Sequence, residues 1–149
     1  MKKIFFILAL VIISHTALAE NTLLKEHEQK LTECTNKYIT EYDKCPDEEF
    51  TKCYYHRMTI NQNTQECYKK IAIELLKEFY SLSKDDAESR FDTFKKEIYN
   101  QYSFVFWETN YCKKNNCGLE PYLHSEDATT EQLNYYINKL IVSIKSRIQ

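Results

Sequence analysis

Leu24, Leu31, Cys34, Tyr38, Tyr42 and Cys45 recur at steps of three, four and seven residues. That spacing places them on one face of a helix, predicted from about Thr22 to Lys44. Pro46 ends this stretch and suits the first turn of a second helix, followed by Asp47, Glu48 and Glu49 at its positive end. The second helix carries Phe50, Cys53 and Met58 and is predicted to break at Asn61-Gln62-Asn63. Asn63 with Glu66 reads as a capping pair for a third helix. Cys67, Ile71, Leu75 and Phe79 line one side of it, with Tyr68, Leu76 and Tyr80 beside them, up to Ser81-Leu82-Ser83.

Ser83 with Asp86 marks another start. Phe91, Phe94, Ile98, Tyr102 and Val105 then follow in a row on a fourth helix reaching about Lys113, where Asn115, Asn116 and Gly118 stop it. A loop is expected from Pro121 to Asp127. Thr129 with Gln132 would cap a fifth helix, whose stripe is Leu133, Tyr136, Ile137, Leu140 and Ile144. The expectation is an all-α single domain of about five helices, stapled by disulfides. Composition agrees: one glycine in 149 residues is far below the usual ~7%, and hairpin-rich β folds need more punctuation.

Residues 1–19, MKKIFFILALVIISHTALA, have the basic start, apolar run (Ile4 to Ile13) and small-residue exit of a secretory signal peptide. The run falls short of the ~20 residues that span a bilayer, which argues against a retained anchor. Cleavage after Ala19 would expose Glu20 and leave residues 20–149 as a periplasmic or secreted domain. No cysteine stands at the new terminus to carry a lipid. Losing Lys2 and Lys3 leaves 18 basic residues against 22 acidic, a net charge near −4. Nothing here resembles the basic face that a nucleic-acid partner requires.

Export changes the meaning of the six cysteines, Cys34, Cys45, Cys53, Cys67, Cys112 and Cys117. An even number in an exported chain predicts three disulfides. Cys34 and Cys45 are three turns apart on one helix face and cannot bond each other there. They could pair with Cys67 and Cys53, nested across a hairpin turning near Pro46. A break at Asn61 to Asn63 would instead allow Cys53 with Cys67, and long-range links to Cys112 or Cys117 stay open. Cys112 could bond Cys117 if the helix ends between them. A zinc site finds little support: Cys53-x-x-His56 has ligand-like spacing, but no C-x-x-C completes it.

No catalytic motif is present, and no metal or cofactor is expected. His27, between Glu26 and Glu28, reads as a solvated surface residue, and His56 beside Arg57 likewise. His124 adjoins Ser125, Glu126 and Asp127, but neighbours in a loop seldom converge on one substrate atom. Asp85 and Asp86 are explained by the helix start they occupy. The stretch Tyr102 to Tyr111 concentrates Tyr102, Phe104, Phe106, Trp107 and Tyr111. It predicts a central helix buried on most faces, with Phe104 in the core. The sharper alternative is an aromatic binding patch of Trp107, Phe106 and Tyr111, a use that suits a chain with twelve tyrosines.

Cys67 opening a helix, Leu76-Lys77-x-x-Tyr80, and Gln101-x-x-Phe104 eight residues before Cys112 form a spaced pattern. From Cys53 to about Leu140 the chain thereby resembles the LprI-type lysozyme-inhibitor family, small exported helical proteins with paired cysteines. Lysine and phenylalanine stand where the family usually has asparagine and tryptophan. Glu108 stands where arginine is frequent, and the cysteine and arginine expected near the last helix are missing. Cys34 and Cys45 precede the matching region as an added element. The resemblance implies a non-catalytic protein that binds lysozyme or a related cell-wall (peptidoglycan) hydrolase. The other functional expectations are a periplasmic immunity protein against a delivered toxin and a secreted effector binding host proteins.

Overall fold

The computed structural model describes the backbone of residues 2–44, 50–108 and 118–148, and the side chains of 19–44, 53–105 and 118–148. The described residues form four helices and no strand. They are α1 (Lys2–Tyr42), α2 (Phe50–Tyr80), α3 (Lys84–Glu108) and α4 (Glu120–Ile148). Among them, no helix is long and apolar enough to cross a membrane.

Side-chain partners give the topology. Cys34 meets Cys67, Lys30 meets Glu74, and His27 meets Glu78, so α1 and α2 run antiparallel. Lys69 of α2 meets Asp92 of α3, and Phe94 of α3 packs on Tyr136 of α4. Asn61 reaches Asp127 and Tyr80 reaches Ser143, so α2 and α4 run parallel. The chain goes up, down, up and down. α2 and α4 pack against each other, and each also packs against both α1 and α3.

The predicted stripes build the core. Leu24, Leu31 and Cys34 from α1 meet Tyr68, Ile71, Leu75 and Leu76 from α2, Ala87, Phe91 and Ile98 from α3, and Leu133, Ile137, Leu140 and Ile144 from α4. Burial of each large apolar side chain contributes about 1.5–3 kcal/mol. The first buried residue among those described is Leu24. The start of α3 is as expected: the Asp86 N–H donates to Ser83 Oγ at 3.1 Å, and Ser83 Oγ donates to Asp86 Oδ2 at 2.6 Å.

Three expectations fail. Residues 61–63 do not break a helix, because α2 runs unbroken through them. Pro121 to Asp127 is not a loop but the first turns of α4. Proline fits a first turn, where its missing N–H costs nothing, and Gly118 supplies the positive φ (60°) just before the helix. Thr129 is therefore no cap: it lies inside α4 and donates to the Ser125 carbonyl at 2.6 Å. The unbroken α2 brings the five expected helices to four among the described residues, and the other two corrections start the last helix earlier. At the other end of α2, Ser81 takes up a left-handed conformation (φ 54°) in the turn to α3.

A candidate functional site at the aromatic pole

α1 ends, α2 begins, α3 ends and α4 begins at the same pole of the bundle. The described structure leaves Ile39, Tyr55, Phe104, Val105, Leu119, Tyr122, Tyr135 and Val142 as its exposed large apolar side chains. All but Tyr135 and Val142 lie within about two turns of these four helix ends. Exposed apolar groups scattered singly need no explanation, whereas a concentration at one end marks a candidate interaction surface.

Phe104 belongs to this surface and not to the core. It is 66% exposed, and its neighbour Val105 is exposed as well. The expected continuation of the α3 stripe ends at Tyr102, which is half-buried against the core. α3 touches the bundle through Ala87, Phe91, Phe94, Ile98 and Tyr102, and beyond that turn Phe104 and Val105 face solvent. The side chains of Phe106, Trp107 and Tyr111 lie outside the described residues, as do Cys45, Cys112 and Cys117.

Beneath the pole lies a polar network that fixes three helices to one another. Asp127 of α4 accepts from Asn61 Nδ2 of α2 at 2.6 Å and from the Tyr42 hydroxyl of α1 at 2.7 Å. Thr130 Oγ1 donates to Asn61 Oδ1 at 2.6 Å. Gln65 Nε2 donates to Glu126 Oε2 at 2.7 Å and to Thr130 Oγ1 at 3.0 Å. Asn61, Gln65 and Thr130 are fully buried. The Arg57 guanidinium sits 4.7 Å from the centre of the Tyr42 ring. Burial, the hydrogen bond to Asp127 and the negative charge of Asp127 raise the Tyr42 hydroxyl well above the ordinary tyrosine range. Burial first, then Asp127 and Glu131, raises Tyr38 in the same way. Burial also raises Tyr54 and Tyr99, with Tyr122 and Glu126 adding to both. Four tyrosines of the pole thus stay protonated in the folded protein through the neutral range.

The histidines separate. His27 is buried at 1% exposure, contrary to the expected surface position. It fills the gap between Leu24 and Leu31 on the buried stripe of α1, and its Nε2 lies 2.7 Å from Glu78 Oε2. His56 Nε2 donates to the Glu41 carbonyl at 3.0 Å, tying the start of α2 to the end of α1. His124 is exposed on α4, while Ser125 is buried and donates to the Pro121 carbonyl. His124 and Ser125 therefore face different ways. Asp85 and Asp86 occupy the first turn of α3, where the helix end accounts for them.

The Cys34–Cys67 disulfide is formed, one of the pairings the spacing allowed. Cys53 is disulfide-bonded as well, so it offers no thiolate to a metal beside His56. No group of three or more potential metal ligands gathers among the described residues. Sequence reasoning missed Asn61, Gln65, Asp127 and Thr130. The available signal was the buried phase they share with flanking apolar positions: Asn61 and Gln65 stand seven residues before Tyr68 and Ala72 respectively. The chain matches no known family model, no curated protein and no solved structure.

Proposed function

We propose that the protein is exported and acts as a non-catalytic binding protein, inhibiting lysozyme or a related peptidoglycan hydrolase by covering its cleft. The observation that carries a binding role is the grouping of Tyr55, Phe104, Val105, Leu119 and Tyr122, all exposed, at one pole of the bundle. Aromatic side chains bring large contact area at low entropic cost and are enriched at protein interfaces. The four packed helices and the Asp127 network hold the pole in place before binding, which lowers the cost of association. The choice of a cell-wall hydrolase rests on the resemblance carried by Cys67, Leu76, Tyr80, Gln101 and Cys112. A net charge near −4 after signal removal favours encounter with a basic enzyme and acts mainly on the association rate.

The test is capture and inhibition. The protein lacking residues 1–19 is immobilised and offered host lysozyme and bacterial peptidoglycan hydrolases, with hydrolysis measured in parallel. Saturable binding that suppresses hydrolysis supports the reading, and the Tyr122→Ala and Phe104→Ala variants should then bind more weakly. Capture of a toxin in place of a hydrolase would favour an immunity protein, and capture of a host protein an effector. Wild-type binding by both variants would remove the pole from the account.

A further inference from the structure

We propose that the Cys34–Cys67 disulfide is an exchange-competent latch, opened by an external dithiol while the bundle remains folded. The proposal is independent of what the aromatic pole binds. The bond joins α1 to α2 across 33 residues of chain. Cys34 is buried, but Cys67 is only partly so. Cys34 and Cys67 both line two recesses of the α1–α2 seam. One, of about 340 Å³, is lined by Lys30, Glu33, Lys37, Lys70, Ile71 and Glu74 besides the cysteines. The other, of about 90 Å³, lies on the side of Tyr38, Ile60 and Thr64. Both cysteines line both recesses, which gives an approach to the bond along the seam.

The charges around it favour exchange. In the larger recess Glu74 pairs with Lys30 at 3.0 Å, while Glu33 accepts from the neutral Gln29 amide at 2.9 Å and keeps its charge, so three lysines face two carboxylates. Lys37 and Lys70 are in no ion pair among the described residues. Lys37 is the one residue besides the cysteines that lines both recesses. Cations beside a disulfide attract an incoming thiolate and stabilise the thiolate that leaves, and both effects speed exchange.

A thiolate of the dithiol attacks Sγ of Cys67, the less buried of the two cysteines. The Cys34–Cys67 bond breaks, and its electron pair leaves on Cys34 Sγ as a thiolate beside Lys37. The second sulfur of the dithiol, having lost its proton, attacks the mixed disulfide at the external sulfur and releases Cys67 as a thiolate. Two electrons pass from the dithiol to the protein. The dithiol's two protons go to the cysteines or to solvent, and the dithiol becomes a disulfide. With the bond open, α1 is held by its buried stripe, by His27 with Glu78, by Thr35 with Tyr68, and by Tyr42 with Asp127. These non-covalent contacts are what keep the reduced protein folded.

The experiment treats the oxidised protein with dithiothreitol under native conditions. Samples are quenched by alkylation at intervals and each cysteine is followed by peptide mass spectrometry, with far-ultraviolet circular dichroism recorded alongside. Cys34 and Cys67 should become labelled together, well ahead of Cys53, while the helical signal persists. Lys37→Glu combined with Lys70→Glu should slow their appearance roughly tenfold. Lys25→Glu, on the same helix away from the bond, should leave the rate unchanged. Added salt should slow the wild-type reaction, a readout that needs no variant to fold. Labelling of Cys34 and Cys67 only in step with Cys53 and with loss of helix would overturn the latch. So would a rate indifferent to both charge reversal and salt.

Discussion

Asn61 on α2 donates to Asp127 on α4 across 2.6 Å, with both residues in segments whose sequence reads as a break and a loop. The second oxygen of the same carboxylate takes the Tyr42 hydroxyl of α1. One side chain therefore sets the register of three helices. A buried group that loses its partner costs the full desolvation of the atom left behind, about 1–3 kcal/mol and more when it is charged. Asn61→Ala should accordingly destabilise the protein by about 1–3 kcal/mol in urea denaturation. Asp127→Ala should cost more, since it strands both Asn61 and Tyr42. An unchanged midpoint for both variants would mean that the network contributes nothing.

Phe91 and Phe104 stand thirteen residues apart on α3, one 2% exposed and the other 66%. Phe91→Ala should cost about 3–5 kcal/mol, because it leaves a cavity in the core. Phe104→Ala should stay within about 0.5 kcal/mol of the wild type, as exposed substitutions usually do. Thermal unfolding of the two variants separates them. Equal destabilisation would place Phe104 in the core after all.

Alkaline pH should unfold the protein. Tyr38, Tyr42, Tyr54, Tyr68, Tyr99 and Tyr136 are all raised, chiefly by burial. The unfolded chain releases these protons near pH 10 and the folded one only above it. The stabilisation is therefore complete below about pH 10 and is lost as pH rises through the folded values. Tyrosinate absorbance and circular dichroism should change together above that point. Full tyrosine ionisation with the helices intact would contradict the burial.

Replacing Cys34 and Cys67 together by alanine should lower stability by about 2–4 kcal/mol, mainly by freeing the unfolded chain. The effect is read as a lower thermal midpoint with the helical signal kept below it. The loss should match that produced by selective reduction of the wild type, since both remove the same tie.

Removing residues 1–19 should leave the folded domain as stable as before. Burial among the described residues begins at Leu24, and the α1 residues with described partners in α4 include Glu28 with Lys145 and Tyr42 with Asp127. Equal urea midpoints for the long and short forms are the expected result.

Repeating apolar positions made the helical class legible in the sequence, along with most of each buried stripe and the Ser83–Asp86 start of α3. They also made Cys34 with Cys67 an allowed pair. These features are local or periodic, so they are written in neighbouring residues. Helix number, the place of His27 and the exposure of Phe104 were not legible. A polar residue such as Asn61 looks like a turn unless a partner 66 residues away is there to satisfy it. His27, between two glutamates, looks solvated until Glu78 of another helix comes within 2.7 Å. Val105, three residues after Tyr102, continues the sequence pattern of the buried face, yet both it and Phe104 are exposed in the last turns of α3. Local sequence dictates which residues share a face of a helix. Only the packing of four helices decides which face meets protein, where each face runs out, and which buried polar atoms find partners.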